Sequence, residues 1–400
     1  MSLYHIVFLF LLICTIIEFK KGNTPRHLFY IAFGVLTLML CLRYLQGTDY
    51  ESYELIYSKI TTNLIASLSD PNVHGEPGWK ILCWTFRLFS VPFPVFVFLF
   101  SALQMYLFWR FVNQFCQRKQ LALFLSYHTL YLTFFFSTMR QGMVVAVFLG
   151  LLLELFLKKK YWQYYLISIL LSTIHSCGLM LLVLPILNTK LFATTWRCVF
   201  WVAAAWTVGI LISTGILDGI LMKVLPSSVL YYIEARGVSL VAALERLASY
   251  SVSVIAILIA EKKIALPNHV RFALKVISLG MIIYGGFVWL PVVASRLSYL
   301  FKVVEIVILT SLLIDKDLFS NLKILFCVML VGVMYVKNIS VYILEGRYYD
   351  HINILNYPYI SIFDGEDARK DKPPRFPKPI KDTGVPAATP YNPSYDYLTM

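Results

Sequence analysis

The sequence predicts an all-α protein that crosses a membrane many times. Three observations support this fold class: hydrophobic residues fill 59% of the 400 positions, charged residues fill only 14%, and the mean hydropathy is +0.71. These values lie far outside the range of soluble domains, and long apolar runs recur through the chain. We therefore interpret the sequence as that of a polytopic membrane protein.

The net charge of +13 is strongly basic. The basic residues lie in short clusters between apolar runs, so they indicate membrane topology and argue against a nucleic-acid-binding class. None of the seven cysteines forms a Cys-x-x-Cys pair, which argues against a zinc site and a disulfide framework. The first apolar run, residues 3–17, lacks a basic start and a small-residue cleavage site, so we expect a retained helix.

Most apolar runs are candidates for single crossings, at residues 3–17, 28–42, 91–109, 121–136, 143–157, 196–214, 247–260, 270–290, 297–314 and 322–342. The run at 162–187 is ambiguous. A single helix there would place the basic residues between 262 and 275 opposite the earlier basic clusters. Two short helices hinged near His175 place all the clusters on one side, as the positive-inside rule favours.

The hinged helices would be about 21 Å long, against a hydrocarbon core of about 30 Å, so a re-entrant pair is an alternative with the same topology. Either form gives about twelve crossings with both chain ends outside. The chain then divides into a membrane domain, residues 1–345, and an extracytoplasmic Pro-rich tail, residues 346–400. We expect that tail to be largely irregular.

The first outer loop, residues 43–90, is expected to hold short helices. Thr48 and Glu51 fit a capping box, which predicts a helix that begins after Thr48 and runs through about Lys59. Pro77 favours the start of a second helix, because proline is well suited to the first helical position. Residues 215–245 form another outer segment that is long enough to hold structure.

Three arginines stand where a positive-inside bias would not place them. With this topology Arg43, Arg140 and Arg296 lie at the outer ends of apolar helices, and Arg140 is the only lysine or arginine from position 121 to 157. Guanidinium groups bind phosphate in a bidentate manner, so the three together suit a lipid substrate that carries a diphosphate. The alternative is that each arginine reaches lipid phosphates or pairs with a nearby acid.

Polar residues on the same side supply candidates for the chemistry. Transfer of a sugar from a diphosphate to a hydroxyl needs a base, and Asp49, Glu76 and His175 are the candidates. Asp49 could instead stabilise a helix N-terminus, and His175 could be a hydrogen-bonded packing residue. Gln141 could bind sugar hydroxyls or a neighbouring helix.

The absence of several known motifs narrows the class of donor, and one further pair of charges is assigned a structural role. The sequence has no P-loop, no G-x-G-x-x-G, no H-E-x-x-H and no Asp-x-Asp pair of the kind that would hold a metal and a nucleotide sugar, so we do not expect a nucleotide donor bound on the cytoplasmic side. Lys302 and Glu305 stand three residues apart in an apolar segment. We expect them to pair with each other in a structural role.

Short motifs then occur in an order that resembles the EpsG family. They are Arg43-Tyr44-Leu45-Gln46-Gly47-Thr48-Asp49-Tyr50-Glu51-Ser52-Tyr53, Glu76-Pro77-Gly78-Trp79, Met139-Arg140-Gln141-Gly142, His175-Ser176, Arg296-Leu297-Ser298-Tyr299 and Pro358-Tyr359. The chain departs from the expected pattern at Cys177 and in its long Pro-rich tail. The family comprises Wzy-like polymerases of bacterial exopolysaccharide and O-antigen.

The resemblance implies a multi-pass glycosyltransferase of the bacterial inner membrane with a GT-C-like fold. Its donor would be undecaprenyl-diphosphate-linked oligosaccharide, its acceptor a second such unit, and no metal or other cofactor is expected. It implies a substrate-binding set of Arg43, Tyr53, Arg140, Gln141, Ser176, Arg296 and Tyr299. A chain-length regulator and a flippase of the same pathway are further candidate partners. The remaining alternatives are a transporter or flippase of the lipid-linked glycan and a polysaccharide acyltransferase that uses His175.

Overall fold

The computed structural model describes residues 2–216, 237–262, 265–312 and 357–364, together with Gly332, Tyr335, Val336, Ile339 and Ser340. Most of the predicted span at 322–342, much of the outer segment 215–245 and the Pro-rich tail after residue 364 lie outside these residues. The described part is helical, with an isolated antiparallel bridge between Arg43 and Ser361.

The described α-helices, numbered in chain order, are α1 Leu3–Lys21, α2 Arg26–Cys41, α3 Tyr50–Lys59, α4 Leu64–Ser69, α5 Pro77–Leu88, α6 Phe93–Phe115, α7 Lys119–Ser126, α8 Met139–Val147, α9 Leu153–Leu157, α10 Tyr161–Ser172, α11 Thr195–Ser213, α12 Leu240–Glu261, α13 Asn268–Gly286, α14 Pro291–Lys302 and α15 Glu305–Leu312. Two π-helical segments, Tyr127–Ser137 and Phe148–Leu152, continue α7 and α8. Two 3₁₀ helices, Ser176–Asn188 and Lys190–Phe192, lie between α10 and α11.

Among the described residues, five helices are long and apolar enough to cross a membrane: Leu3–Lys21, Phe93–Phe115, Met139–Leu157, Thr195–Ser213 and Leu240–Glu261. This result supports the membrane class. The count of about twelve crossings and the GT-C-like arrangement stay predictions.

The predicted break near His175 is confirmed. α10 ends at Ser172, and the first 3₁₀ helix begins at Ser176 with His175 as its N-cap residue. The apolar run at 297–314, in contrast, was predicted as one span and is interrupted. There α14 ends at Lys302 and α15 begins at Glu305, with Val303 and Val304 in a turn.

The first outer loop folds into α3, α4 and α5, and the predicted helix start at Pro77 is confirmed. The capping box is wrong, because the N-cap residue of α3 is Asp49 and not Thr48, whose hydroxyl bonds to the Asp49 carboxylate at 3.2 Å. The preceding Gly47 has a φ of 94° and packs on the carbonyl group of Phe136. Only glycine fits there without strain, so this contact sets where α3 begins.

Helix α8, which carries Arg140 at its start, is held tightly against α6. A Cβ at Gly142 would lie 2.6 Å from the carbonyl oxygen of Phe134 and 2.9 Å from Nε2 of Gln104. Gln104 Nε2 also donates to the carbonyl oxygen of Met139 at 3.1 Å. These contacts fix the position from which the Arg140 side chain extends.

Helices α11 and α13 cross at two glycines. A Cβ added to Gly209 would clash with the carbonyl oxygen of Gly285, and a Cβ added to Gly285 would clash with the ring of Trp206. Small residues at such a crossing allow two backbones to approach closely, which is a common source of helix association in membranes.

We predict that Gly209→Ala destabilises the protein, because the added methyl group forces α11 away from α13. Overpacking of this kind costs about 1–3 kcal/mol, measured as a lower midpoint of thermal unfolding in detergent. Gly286→Ala is the matched control, since a Cβ at Gly286 would meet nothing within 4 Å. Equal midpoints for the two variants would contradict this crossing.

Candidate functional site

An ion pair between Glu76 and Arg140 lies at the centre of the candidate site. The Nη1 atom of Arg140 donates to Oε2 of Glu76, and the two side chains are only 19% and 24% exposed for Arg140 and Glu76 respectively. The other carboxylate oxygen, Oε1, accepts a hydrogen bond from the backbone N–H of Ser176 at 2.9 Å. One carboxylate therefore joins the first outer loop, α8 and the hinge after α10.

The chain around Glu76 is shaped by two glycines. Gly75 has a φ of 131°, and a Cβ there would lie 3.0 Å from the Trp79 ring and 3.1 Å from Nη1 of Arg140. After Glu76, Pro77 starts α5, and the backbone N–H of Gly78 donates to the carbonyl oxygen of Thr173 at 2.7 Å. These contacts dock the start of α5 directly on the hinge.

The guanidinium of Arg140 also lies over the ring of Tyr53, with Cζ 5.6 Å from the ring centre. Tyr53 is 4% exposed and packs against the buried ring of Trp79. Burial, with a further contribution from the charge of Asp49, raises the pKa of Tyr53, so its phenol stays protonated. Arg140 is thus held between an acid and the face of an aromatic ring, which fixes its direction.

His175 lies in the turn beside this ion pair. The pKa of His175 is lowered to about 4, mainly by burial and also by the positive charges of Arg140 and Arg296, against the opposing effect of Glu76. Its Nδ1 atom accepts a hydrogen bond from the backbone N–H of Cys177 at 3.1 Å. Because a neutral imidazole carries a single N–H, the proton is on Nε2, which can donate a hydrogen bond but cannot accept a proton.

Gln141 and Arg296 connect α8 to α14. Nε2 of Gln141 donates to the backbone carbonyl oxygen of Arg296 at 2.9 Å. Of the two partners expected for Gln141, sugar hydroxyls or a neighbouring helix, the structure shows the neighbouring helix. The Arg296 side chain is exposed and lies close enough to influence the charge state of His175. Both arginines and His175 therefore lie around one site.

We define the polar cluster as Tyr53, Glu76, Arg140, Gln141, His175, Ser176 and Arg296. Asp49 lies at its edge, since its carboxylate acts electrostatically on Tyr53. The structure therefore brings together most of the residues that the sequence selected, from five separate segments. Their roles toward a substrate stay predictions.

Arg43 is the exception among the three selected arginines. Its side chain is fully buried, with Nη1 donating to the carbonyl oxygen of Leu40 at 2.6 Å and to Oγ of Ser101 at 2.9 Å. The guanidinium carbon lies 5.2 Å from the ring centre of Phe136. The expectation that Arg43 faces the substrate is thus at odds with its burial, and its contacts indicate that it holds the base of the outer loop.

Tyr299 and Lys302 lie in a second polar region, which includes Arg246. Arg246 lies over the Tyr299 ring, with its Cζ 5.2 Å from the ring centre, and Tyr299 packs against Phe134. The predicted pairing of Lys302 with Glu305 is wrong, because Lys302 forms its ion pair with Glu245 of α12.

The carboxylate of Glu305 instead accepts hydrogen bonds from Ser249 at 2.5 Å and Ser253 at 3.4 Å, both on α12. The reason is the break between α14 and α15, which separates Lys302 and Glu305 onto different helices. Spacing along a continuous helix therefore gave the wrong partner.

Sequence reasoning missed Gly75 and Thr173, both of which shape the site. The glycine has a signal in the sequence, because Gly75 and Gly78 flank Glu76 and Pro77 within four residues. Thr173 has none, since its contribution is a backbone carbonyl. Among the described residues, no group of three or more His, Cys, Asp or Glu side chains could hold a metal ion.

The fold and the site together define a helical membrane protein in which Glu76 and Arg140 pair at a hinge between helices. The chain belongs to the EpsG family, whose model matches residues 26–361. No curated protein and no solved structure matches the chain. The family makes it a membrane protein related to polysaccharide biosynthesis, with a role of the glycosyltransferase or polymerase type in general.

We predict that Glu76 and Arg140 are energetically coupled. In a double-mutant cycle with Glu76→Ala and Arg140→Ala, the double variant should lose less stability than the sum of the two single losses, by about 1–2 kcal/mol. The measurement is thermal unfolding in detergent. The pair Arg110–Glu154, at the far end of α6, provides a control cycle. Strict additivity at Glu76 and Arg140 would contradict the ion pair.

Proposed function

We propose that the protein polymerises lipid-linked oligosaccharide repeat units of an exopolysaccharide, capsule or O-antigen at the outer face of the bacterial inner membrane. The donor is an undecaprenyl-diphosphate-linked oligosaccharide, and a second lipid-linked unit supplies the acceptor hydroxyl. The observation that carries this proposal is the polar cluster, in which Glu76 holds Arg140 beside Arg296 and His175. Membership of the EpsG family supports it.

In this proposal the diphosphate lies against Arg140 and Arg296. Arg140 uses Nη1 for Glu76, and its Nε has no hydrogen-bond partner in the described part of the chain. A guanidinium that is already held in place needs little reorganisation as charge develops on the leaving group. The ion pair with Glu76 therefore positions Arg140 for the diphosphate instead of competing with that role.

The reaction transfers the sugar in one displacement. The acceptor oxygen forms a bond to the anomeric carbon, the bond from that carbon to the diphosphate oxygen breaks, and its electron pair remains on the diphosphate. The proton of the acceptor hydroxyl passes to a base of the protein. Arg140 and Arg296 stabilise the negative charge that the diphosphate gains.

Among the three candidate bases, Asp49 fits best. Both oxygens of the Glu76 carboxylate are already engaged, one by Arg140 and the other by the N–H of Ser176. The lone pair of His175 Nδ1 caps the 3₁₀ helix, so the ring offers only its Nε2–H, as a donor to a sugar or phosphate oxygen. Asp49 is half-buried at the start of α3, beside Tyr53.

The other cluster residues have positioning roles in this proposal. Gln141 holds α14 in place, so that Arg296 reaches the site, and Ser176 orients Glu76. The ring of Tyr53 packs against the guanidinium of Arg140. A flippase that delivers the lipid-linked unit and a chain-length regulator are the partners that such a polymerase requires.

We predict that Arg140→Ala lowers polymerisation by about 10²–10³-fold, because a charge-stabilising group at the leaving diphosphate is lost. The measurement uses purified protein and lipid-linked repeat units alone, and follows the length of the glycan by gel. Arg110→Gln is the control, since Arg110 pairs with Glu154 away from the site.

Wild-type protein that leaves the glycan size unchanged would contradict the polymerase. Release of the glycan across a vesicle membrane without elongation would favour a transporter, and added mass without new sugar units would favour an acyltransferase. An Arg140→Ala variant that folds and elongates normally would contradict the role of Arg140 alone.

We predict that two of the candidate bases, Asp49 and His175, respond differently to substitution by asparagine. Asp49→Asn should reduce kcat most strongly, because it removes the proton acceptor. His175→Asn should retain the fold and much of the activity, because asparagine can also accept the capping hydrogen bond. Inactivity of a folded His175→Asn variant, with activity in Asp49→Asn, would reverse the assignment.

A further inference from the structure

A second site lies at the opposite end of α1 from the polar cluster. Tyr4, near the start of α1, bonds to Gln46 of the outer loop at 2.7 Å. Glu18, near the end of α1, is fully buried and accepts hydrogen bonds from the backbone N–H groups of Gln120 and Leu121, at 3.1 and 3.0 Å. Glu18 thus caps α7 from another helix and joins α1 to α7.

Next to Glu18 lies a cavity of about 370 Å³. It is formed by the turn between α1 and α2 and by the link between α6 and α7, and its polar lining consists of Asn23, Thr24, Arg26, Gln117, Arg118 and Lys119. Three of these residues are cationic and none is acidic. A cavity of this size can hold a phosphate together with a small polar group attached to it.

The helix ends increase the positive potential of this cavity. Arg26 is the first residue of α2, and Lys119 is the first residue of α7. A helix N-terminus is already partly positive, so a cation there is unfavourable unless an anion is also present. The N-terminus of α7 is already capped by Glu18, whereas that of α2 has no side-chain cap and therefore favours an anion at the cavity.

Arg118 supplies the independent observation. It is only 6% exposed, and its Nη1 makes a long contact of 3.5 Å with the carbonyl oxygen of Glu18. Within the described residues, neither Nε nor Nη2 has a hydrogen-bond partner, and both belong to a side chain that lines the cavity. Arg118 is thus a largely buried side chain whose remaining donors are open to the cavity, where they can bind an anion from outside the chain.

The surface beside the cavity indicates what kind of molecule bears the anionic group. Tyr30 lines the cavity and is 58% exposed, and Leu38, two turns further along the same face of α2, is also 58% exposed. Between them, a Cβ added to Gly34 would meet nothing within 4 Å. An apolar strip with a shallow notch therefore continues from the cavity along α2, as an acyl chain requires.

We propose that this cavity binds the phosphate of an anionic phospholipid, with its acyl chains along α2. Arg118 is the buried ligand, and Arg26 and Lys119 add charge at the rim. The side that the basic clusters predict to be cytoplasmic is the one where anionic headgroups and basic pockets meet. The bound lipid fixes the α1–α2 turn and the α6–α7 link, and it does not depend on the proposed polymerase activity.

The test uses full-length protein in detergent, titrated with short-chain phosphatidylglycerol and followed by native mass spectrometry. We expect one saturable site for phosphatidylglycerol and none for phosphatidylcholine. Arg26→Gln should weaken binding about fivefold, the effect of one cation near an anionic headgroup. Arg26 is exposed and forms no hydrogen bond or ion pair within the described residues, so this variant keeps the fold.

Two further variants test the location of the site, and a competition experiment tests whether the phosphate belongs to a lipid. Arg118→Lys should also weaken binding, because lysine keeps the charge and loses the planar set of donors. Lys160→Gln, an exposed basic residue outside the cavity, should leave binding unchanged. Equal loss in Lys160→Gln would overturn the site in favour of general surface attraction, and full competition by glycerol 3-phosphate at equal concentration would overturn the lipid.

Discussion

The ion pair between Glu76 and Arg140 is the interaction on which the candidate site depends. An arginine near hydrocarbon needs compensation, and here the compensating carboxylate comes from a loop instead of a neighbouring helix. The same carboxylate binds the backbone of the hinge, so neutralising the charge also assembles the site. The ring of Tyr53, whose centre is 5.6 Å from Cζ of Arg140, completes the arrangement. The same carboxylate thus offsets the energetic cost of placing Arg140 near hydrocarbon and organises the loop.

Two regions of fixed charge lie at the two ends of α1. At one end, in the polar cluster, the acid Glu76 holds Arg140 in a defined direction. At the other, the Glu18 carboxylate is used up in capping α7, and the nearby cations line a cavity without an acid. This difference is the reason why we propose catalysis for the first region and stable binding of an anion for the second.

The sequence predicted those elements whose cause is local or statistical. The hinge at His175 follows from the distribution of basic residues, and the start of α5 follows from Pro77. Partners across the fold could not be predicted in this way. Lys302 pairs with Glu245 of α12 because α14 ends at Lys302, and Arg43 is enclosed by contacts with α2, α6 and Phe136 that no spacing reveals. The choice between Asp49 and Glu76 as the base likewise depended on the ion pair of Glu76 with Arg140, which the sequence does not reveal.

The bridge between Arg43 and Ser361 joins the first outer loop to residues near the end of the family match. Backbone hydrogen bonds run from Tyr44 to Ile360 and from Ile362 to Leu42, and Gln46 bonds to the carbonyl oxygen of Pro358. Gln46 and Pro358 are 312 residues apart in the chain, so the ribosome synthesises the loop that carries the acids long before its partner. The loop therefore acquires this support only after the described helices between the two segments have been synthesised, which delays maturation of the site.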